Sequence, residues 1–244
     1  MDCLCYNISM TNQDDFISTV SHELRTPLTS IRGFAQTMLS SWDKIDDISK
    51  KKFLTIIEEQ SNRLIHLVEN ILSVTKLQNE NIIPKKVYVN SVLNTVMQMI
   101  EQRYPNHKYS IKKDFTNPAI SGDSEKLQQI LINIIENACK YSNENTTVSV
   151  TTQSDDKSVS ILIEDEGAGI EMKYADKIFE KFSRIDNPLT QKTQGSGLGL
   201  FITKSLTEKM NGKISFKNAD KGTVFTVKFP QYNIEEHIKC SVTH

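Results

Sequence analysis

The feature that most constrains this chain is the long helical period of apolar residues in its N-terminal third. Apolar side chains recur every three or four positions over residues 14–39, and a similar spacing runs over residues 53–77. Such spacing predicts two long amphipathic helices. Residues 41–49 interrupt the period, and Asp47 or Ser49 is expected to cap the second helix.

A single hairpin of this kind encloses too little apolar core to be stable alone. Pairing two hairpins would bury both apolar stripes in a four-helix bundle, so the sequence predicts a homodimer. Pro27 lies inside the first helix and is expected to bend it locally, because proline removes one backbone donor. Residues 1–13 show no clear period and are interpreted as a tail or as the stub of a longer upstream helix.

The pattern changes after Pro84 to short strand-like and longer helix-like segments. Helices interleaved with an open sheet indicate a layered fold in which helices cover one face of the sheet. Strands are predicted at 86–89, 109–113, 147–151, 159–164, 213–216 and 223–229, and helices at 91–102, 124–141 and 198–211, the middle one capped by Asp123.

These patterns divide the chain into four segments. A tail or upstream linker covers 1–13, a helical hairpin domain 14–80, a mixed sheet and helix domain 85–230 and a C-terminal tail 231–244. The fold class is therefore expected to be α+β.

Composition excludes some partners. The chain has 29 Lys and Arg against 30 Asp and Glu, so it lacks the basic excess that nucleic-acid phosphates require. No apolar run reaches the roughly 18 to 20 residues of a membrane span, so this chain itself is expected to make no membrane contact, which leaves open an anchor elsewhere in a longer protein. The four cysteines form no zinc or disulfide pattern, as is typical of a cytoplasmic protein, and Cys139 is predicted to be a core residue.

The segment SHELRTPL places His22 off the apolar stripe, beside Glu23 and one turn before Thr26. A neutral imidazole is a good nucleophile at physiological pH, and a carboxylate bonded to one ring nitrogen fixes the tautomer and makes the other nitrogen more basic. Taken alone, a surface histidine beside a glutamate is more often only part of a solvated helix face.

In the second domain Asn133 and Asn137 are four residues apart, so both amides lie on one side of a helix, and Lys140 and Tyr141 follow one turn later. Amide oxygens can hold a hard cation such as Mg²⁺ together with phosphate oxygens, and Lys140 could meet a phosphate directly. The alternative for these residues alone is a polar, solvent-facing side of the helix.

Two glycine motifs follow. EDEGAGI (164–170) comes after an apolar strand, where its glycines allow a sharp turn or a close approach to a flat ligand, and Asp165 could accept a hydrogen bond from an exocyclic amine. GSGLGL (195–200) opens a helix, where free backbone donors favour phosphate. Each motif is weak evidence by itself.

Together the segments resemble the sensor histidine kinase family, in the order in which that family uses them. FISTVSHELRTPLTSI resembles its phosphoacceptor H box, LINIIENACKYS its N box, EDEGAGI its first glycine box, IFEKFSRID its F box and QGSGLGL its second glycine box. The resemblance spans about residues 14–230, and five ordered boxes are highly specific.

The resemblance implies a dimeric phosphoacceptor bundle joined to a Bergerat-type ATP-binding α/β sandwich, with ATP and Mg²⁺ as cofactors and a response regulator receiver domain as partner. By that similarity His22 is phosphorylated, Glu23 is its general base, and Thr26 positions water for dephosphorylation of the regulator. Asn137 and Asn133 bind magnesium, Asp165 reads adenine, and residues 171–196 form an ATP lid. The implied nucleotide-binding residues are Asn133, Asn137, Lys140, Tyr141, Asp165, Gly167, Gly169, Ile170, Arg184, Gly195, Gly197, Leu198 and Gly199.

Three other functions are considered. ATP hydrolases of related fold carry a glutamate one turn before the magnesium-binding asparagine, where this chain has Asn133, and Glu136 points elsewhere on the helix. The intact motifs speak against a degenerate scaffold that binds nucleotide without transferring phosphate. A net phosphatase stays open because Thr26 permits both activities. Asp220 departs from the family pattern, since it replaces the first glycine of a third box, and a stiffer turn without loss of activity is expected there.

Overall fold

The computed structural model describes residues 2–79, 82–183 and 195–233. The chain divides into two compact units, Met1–Ser73 and Val74–His244. We call them the hairpin unit and the sheet unit.

The hairpin unit consists of two long helices joined by a short turn. Helix α1 covers Asp2–Ser41, a 3-10 turn covers Trp42–Lys44, and helix α2 covers Asp47–Asn79 and continues into the sheet unit. The predicted helical hairpin is therefore confirmed. Residues 2–13 are helical, so the tail interpretation is replaced by its alternative, a longer helix.

The cap of α2 is Asp46, and the expectation that Asp47 or Ser49 caps this helix was wrong. The Asp46 carboxylate accepts hydrogen bonds from the Ser49 backbone N–H at 2.9 Å and from the Ser49 hydroxyl at 2.8 Å. These bonds lower the pKa of Asp46. An acceptor three residues before the bonded N–H is the usual capping geometry, and that spacing identifies Asp46.

Contacts across the hairpin join α1 to α2. The rings of Phe34 and Phe53 lie 5.1 Å apart between centroids, and the Arg63 guanidinium donates to the Glu23 carboxylate at 3.3 Å. Met38 and Leu67 are buried. Many large apolar side chains of this unit nevertheless stay exposed, among them Ile17, Leu28, Leu39, Ile48, Leu54, Ile65, Val68 and Leu72.

The sheet unit contains seven strands within the described residues. Strands β1 (Lys85–Tyr88) and β3 (Ala119–Gly122) form an antiparallel pair. The remaining strands form a five-stranded sheet in the order β2-β4-β5-β7-β6, parallel between β2 and β4 and antiparallel elsewhere. Their bounds are β2 Lys108–Lys112, β4 Thr147–Ser154, β5 Ser158–Glu164, β6 Lys213–Asn218 and β7 Thr223–Pro230.

Three helices pack with this sheet: α3 (Val89–Arg103), α4 (Ser124–Lys140) and α5 (Gly199–Lys209). Alternate residues of β4 and β5 are buried, as expected for a sheet that is covered on one face. Helix α4 lies in the middle of the core, and its apolar side includes the fully buried Leu127, Ile130, Leu131, Ile134 and Ile135.

The sheet unit confirms the predicted mixture of strands and helices. Six strands and three helices lie within a few residues of their predicted bounds. Asp123 caps α4 as predicted, because its carboxylate accepts from the backbone N–H groups of Glu125 and Lys126. Cys139 is buried, as predicted, and burial raises the pKa of its thiol to about 11. Strand β3 was not predicted.

No helix in the described part of the chain has both the length and the apolar character needed to cross a bilayer.

Candidate functional site

Asn133 and Asn137 lie on the partly buried side of α4, and Lys140 at its end is exposed. No side-chain hydrogen bond or ion pair joins the Asn137 amide to any residue of the described ranges. The Asn133 amide nitrogen, by contrast, donates to Gly199 O and to Thr203 Oγ1, both at 3.4 Å. Asn133 therefore links α4 to the start of α5, whereas Asn137 keeps its amide oxygen available to a ligand.

Lys140 and Glu136 form an ion pair on α4. The Lys140 ammonium lies 2.8 Å from the Glu136 carboxylate, and Arg103 of α3 binds the same carboxylate. Burial favours a raised pKa for Glu136, but the two cations outweigh burial and lower the pKa. Glu136 is thus held as a paired anion and orients Lys140.

Asp165 follows β5 and is 6% exposed. Its Oδ1 accepts from the backbone N–H of Gly167 at 2.8 Å and from that of Thr223 at 3.3 Å. The backbone of Asp165 also donates to Thr223 O at 3.0 Å. Burial raises the pKa of the Asp165 carboxyl, and the two amide donors partly offset this rise. Within the described residues Oδ2 accepts no hydrogen bond, so this oxygen can accept one from a ligand.

The two glycine motifs meet at the end of α4. A Cβ atom at Gly167 would lie 2.4 Å from the Tyr141 carbonyl oxygen, and one at Gly195 would lie 3.7 Å from the Tyr141 hydroxyl. Tyr141 itself is the C-terminal cap of α4, and its N–H donates to Asn137 O at 2.9 Å. The structure therefore brings both motifs to the turn of helix that carries Asn137.

The second glycine motif leads into α5. Gly197 has φ +67°, and a Cβ there would lie 2.6 Å from the carbonyl carbon of Phe182, so this position requires glycine. Leu198 is fully buried in front of the helix, and Gly199 begins it beside Asn133. This motif leaves the N-terminal backbone donors of α5 near Asn133.

In the first motif, Gly169 has φ +75° and Ile170 is bound through its backbone. Ile170 N donates to Asn218 Oδ1 at 2.9 Å, and Asn218 Nδ2 donates to Ile170 O at 2.8 Å. Arg184 lies outside the described residues, as does the 184–194 part of the predicted ATP lid.

The second predicted site lies on the hairpin unit. His22 is exposed on α1, and its imidazole makes no hydrogen bond to any residue that the structure describes. Glu23 is paired with Arg63 of α2 and makes no hydrogen bond to His22. The Thr26 hydroxyl donates to the His22 carbonyl oxygen at 3.3 Å. The structure therefore places the three residues on adjoining positions of one helix without joining their functional groups.

A second histidine has the contact that was expected of His22. His66 Nδ1 lies 3.3 Å from the Glu69 carboxylate on the exposed side of α2. Local geometry alone does not choose between the two histidines, whereas the surrounding motif favours His22.

Comparisons with known proteins identify the family of both units. Residues 12–80 match the model of the His Kinase A (phospho-acceptor) domain. Residues 122–233 match that of the histidine kinase-, DNA gyrase B- and HSP90-like ATPases. The chain belongs to the sensor histidine kinase family.

Curated members of the family extend beyond the region shared with this chain. The sensor protein KdpD of Clostridium acetobutylicum is 32% identical over 90% of this chain and 25% of its own length. The sensor protein kinase WalK of Staphylococcus aureus is 32% identical over 91% of this chain and 54% of its own length. The chain thus spans about a quarter to a half of these relatives and contains the matches to the phospho-acceptor and ATPase domain models.

A solved structure shares the fold of both domains. The histidine kinase ThkA, in complex with the response regulator protein TrrA, superposes with a TM-score of 0.74 at 23% identity, over 93% of this chain and 64% of that one. At this identity the likeness concerns the fold.

Three residues of the histidine kinase sites were not predicted. Thr223 binds Asp165 and lies in the DKGTVF segment, whose resemblance to a third glycine box was a usable signal. Arg63 and Asn218 left no such signal, because their partners lie 40 and 48 residues away in the sequence. In the turn between β6 and β7, Asp220 does not have a positive φ. The backbone at this position therefore accepts an aspartate in place of the glycine of the family pattern.

Proposed function

We propose that this chain binds ATP in the sheet unit, phosphorylates His22 in the hairpin unit and passes the phosphoryl group to an aspartate of a response regulator. The observation that carries the proposal is the convergence of Asp165, Asn137 and both glycine motifs around Tyr141, with free oxygens on both polar side chains. Such an arrangement of groups can bind a nucleotide at both its base and its phosphates.

The base end is Asp165. Its Oδ1 is fixed by two backbone amides, and its free Oδ2 can accept from the exocyclic amine of adenine. Guanine presents a carbonyl oxygen at the equivalent ring position, so this carboxylate favours ATP over GTP. The phosphate end is the start of α5, where backbone donors and the helix dipole attract anions.

The donor set near the phosphate end fits Mg²⁺. Asn137 offers one free amide oxygen, and magnesium in nucleotide sites takes few protein ligands and several phosphate and water oxygens. Bound there, the ion would neutralise phosphate charge. Asn133 is the weaker ligand candidate, since its amide nitrogen already binds the first turn of α5.

The transfer itself uses groups of this chain. One imidazole nitrogen of His22 forms a bond to the γ-phosphorus of ATP, while the bond to the β–γ bridging oxygen breaks and ADP leaves with that electron pair. The proton on the other ring nitrogen goes to the Glu23 carboxylate. In the structure Arg63 binds one oxygen of this carboxylate, Oε2, and so competes with His22 for Glu23.

The exposed apolar residues of the hairpin support a homodimer. Leu28, Ile65, Val68 and Leu72 are each at least 42% exposed within this unit. Exposed apolar stripes on both helices would be buried by a second copy in a four-helix bundle. The complex of ThkA with its response regulator supports a receiver domain as the further partner.

Two alternatives use the same residues. Phosphatase activity toward the regulator is supported by Thr26, whose hydroxyl lies one turn from His22 and is exposed. ATP hydrolysis is disfavoured, because Asn133 occupies the position of the water-activating glutamate and Glu136 is bound by Lys140 and Arg103.

The test is incubation of the purified chain with γ-labelled ATP and Mg²⁺, beside His22→Gln and Asp165→Asn variants. We expect label that is acid-labile and alkali-stable, is absent from His22→Gln and is reduced at least about tenfold in Asp165→Asn. ATP binding without label, or label that survives in His22→Gln, would refute the proposal.

A further inference from the structure

The side chain of Asn218, the last residue of β6, binds both backbone groups of Ile170. Its Oδ1 accepts from Ile170 N at 2.9 Å, and its Nδ2 donates to Ile170 O at 2.8 Å. An asparagine amide that uses its oxygen and its nitrogen on one residue replaces the pair of bonds that a neighbouring strand would make. Such a pair fixes both the position and the orientation of the bound backbone.

The other end of the same loop is held by the residue opposite Asn218. In the register of β6 and β7, Asn218 pairs with Thr223. Thr223 O accepts from Asp165 N, and Thr223 N donates to the Asp165 side-chain atom Oδ1. One cross-strand pair thus holds both ends of loop 165–170. Thr223 holds the end that carries Asp165, and Asn218 holds the end at Ile170.

The loop is shaped to allow this second contact. A Cβ at Gly169 would lie 3.2 Å from Asn218 Oδ1, and Gly169 has φ +75°. Glycine therefore lets the Asn218 amide approach the loop backbone closely. The contact requires the side-chain amide of Asn218 and the absence of a side chain at Gly169. It is therefore more specific than a chance surface hydrogen bond.

We infer that Asn218 is a positioning residue of the nucleotide site, which acts by keeping loop 165–170 in the conformation that binds the base. The inference rests on the proposed function, because it assigns the loop to ATP. Asn218 touches no reacting group. Its loss should lower the fraction of molecules with a binding-competent loop and raise the apparent dissociation constant in proportion.

The size of the effect follows from that fraction. If the competent fraction falls to between about a tenth and a third, the apparent dissociation constant rises about three- to tenfold. The rate of phosphoryl transfer from bound ATP should change by less than about twofold, because the bound loop has the same conformation in both proteins.

The experiment compares the full chain with Asn218→Ala, Asn218→Asp and Asp220→Ala. Asn218→Asp keeps an acceptor for Ile170 N and loses the donor. Asp220 is exposed on the same β6–β7 turn, and no hydrogen bond or ion pair is found for its side chain among the described residues, so it is the matched control. Calorimetry gives the dissociation constant for a non-hydrolysable ATP analogue with Mg²⁺, and label incorporation gives KM and kcat.

We expect Asn218→Ala to raise both the dissociation constant and KM about three- to tenfold at nearly constant kcat. Asn218→Asp should lie between this variant and the wild type, and Asp220→Ala should match the wild type. If Asn218→Ala does not fold, the Asn218→Asp variant provides the test. We then expect its dissociation constant to rise about two- to threefold.

Unchanged affinity in the Asn218 variants, a fall of kcat at constant KM, or an equal loss in Asp220→Ala would overturn the inference. A wild-type chain that binds the analogue but never becomes labelled overturns the proposed phosphotransfer alone, and the affinity series still decides the role of Asn218. A wild-type chain that does not bind the analogue overturns both.

Discussion

The Asp165 carboxylate in the sheet unit accepts two hydrogen bonds from backbone N–H groups, and the residue is 6% exposed. His22 in the hairpin unit is exposed, and its imidazole makes no hydrogen bond to any described residue. The same contrast extends to their surroundings. Loop 165–170 is held at both ends by residues of β6 and β7, whereas Glu23 beside His22 is paired with Arg63 of α2.

Under the proposed function, this difference matches what each site must do. A nucleotide is recognised by groups that are already in place, because preorganised donors and acceptors need no rearrangement on binding. A phosphoacceptor must meet ATP and then a receiver domain in turn, so its nucleophile has to stay accessible. One chain thus combines a preformed binding site with an open reacting group.

The largest expected effect compares one glycine from each unit. A Cβ at Gly222 would lie 2.0 Å from Asp165 O, and Gly222 has φ +77°, whereas a Cβ at Gly33 meets no atom within 4 Å. Gly222→Ala should therefore lower stability by about 1–3 kcal/mol and weaken ATP binding at least about tenfold. Gly33→Ala should leave binding unchanged and add up to about 1 kcal/mol of stability.

Chemical denaturation and calorimetry of these two glycine variants measure both effects. Equal losses of ATP affinity in the two variants would show that the nucleotide site is no more tightly built than the hairpin.

The next prediction concerns the restraint on Glu23. Replacing Arg63 by alanine frees the Glu23 carboxylate for His22, so the initial rate of phosphohistidine formation should rise about two- to fivefold. The side chains of Arg63 and Glu23 are 22% and 23% exposed. Loss of their ion pair should lower the free energy of unfolding by at most about 1 kcal/mol. Lys52→Ala, an exposed change on the same helix, is the control and should leave the rate unchanged. A slower rate in Arg63→Ala would mean that Arg63 supports Glu23 instead of restraining it.

A smaller effect is expected at the start of α4. Asp123→Ala removes the cap that binds Glu125 N and Lys126 N and should lower the free energy of unfolding by about 1 kcal/mol. Asn137 lies about four turns further along the helix. ATP affinity should therefore fall less than about twofold, the limit for a change so distant from the site. A large loss of affinity at unchanged stability would contradict a purely capping role.

The smallest effect depends on pH. Hydrogen bonds from Ser154 and Thr116 lower the pKa of Asp114 to about 2. A lowered pKa in the folded state contributes stability above the unfolded pKa, and this contribution is lost as pH falls from about 4 to about 2. The wild type should therefore lose slightly more stability than Asp114→Asn between pH 6 and pH 2.5. Parallel denaturation curves for the two proteins would contradict this assignment.

Most of the fold could be predicted from local sequence patterns. Apolar periodicity predicted α1, α2 and α4, and the Asp123 cap could be recognised because both partners are adjacent in sequence. Strand β3 was missed because its four residues, Ala119–Gly122, are too short to show an alternation.

The contacts that hold the candidate sites together were harder to predict from the sequence. Glu23 meets Arg63 and Ile170 meets Asn218 only after the chain has folded, so no local spacing reveals them. The cap of α2 was wrongly predicted to be Asp47 or Ser49. Asp46, Asp47 and Ser49 all have side chains that can cap a helix, and only the geometry of the folded chain identifies Asp46. The motifs predicted the residues of the candidate sites but not the residues that hold them in place.

The most direct test locates the phosphate after incubation with ATP and Mg²⁺. Tryptic cleavage separates His22, the only histidine of peptide 1–25, from His66 in peptide 64–76. His66 is the stringent comparison, because the Glu69 carboxylate lies 3.3 Å from its ring. Among the described residues no carboxylate binds the imidazole of His22. Mass spectrometry at alkaline pH should find phosphate on peptide 1–25 and none on peptide 64–76. Phosphate on peptide 64–76, or on neither, would contradict the assignment of His22 as the phosphoacceptor.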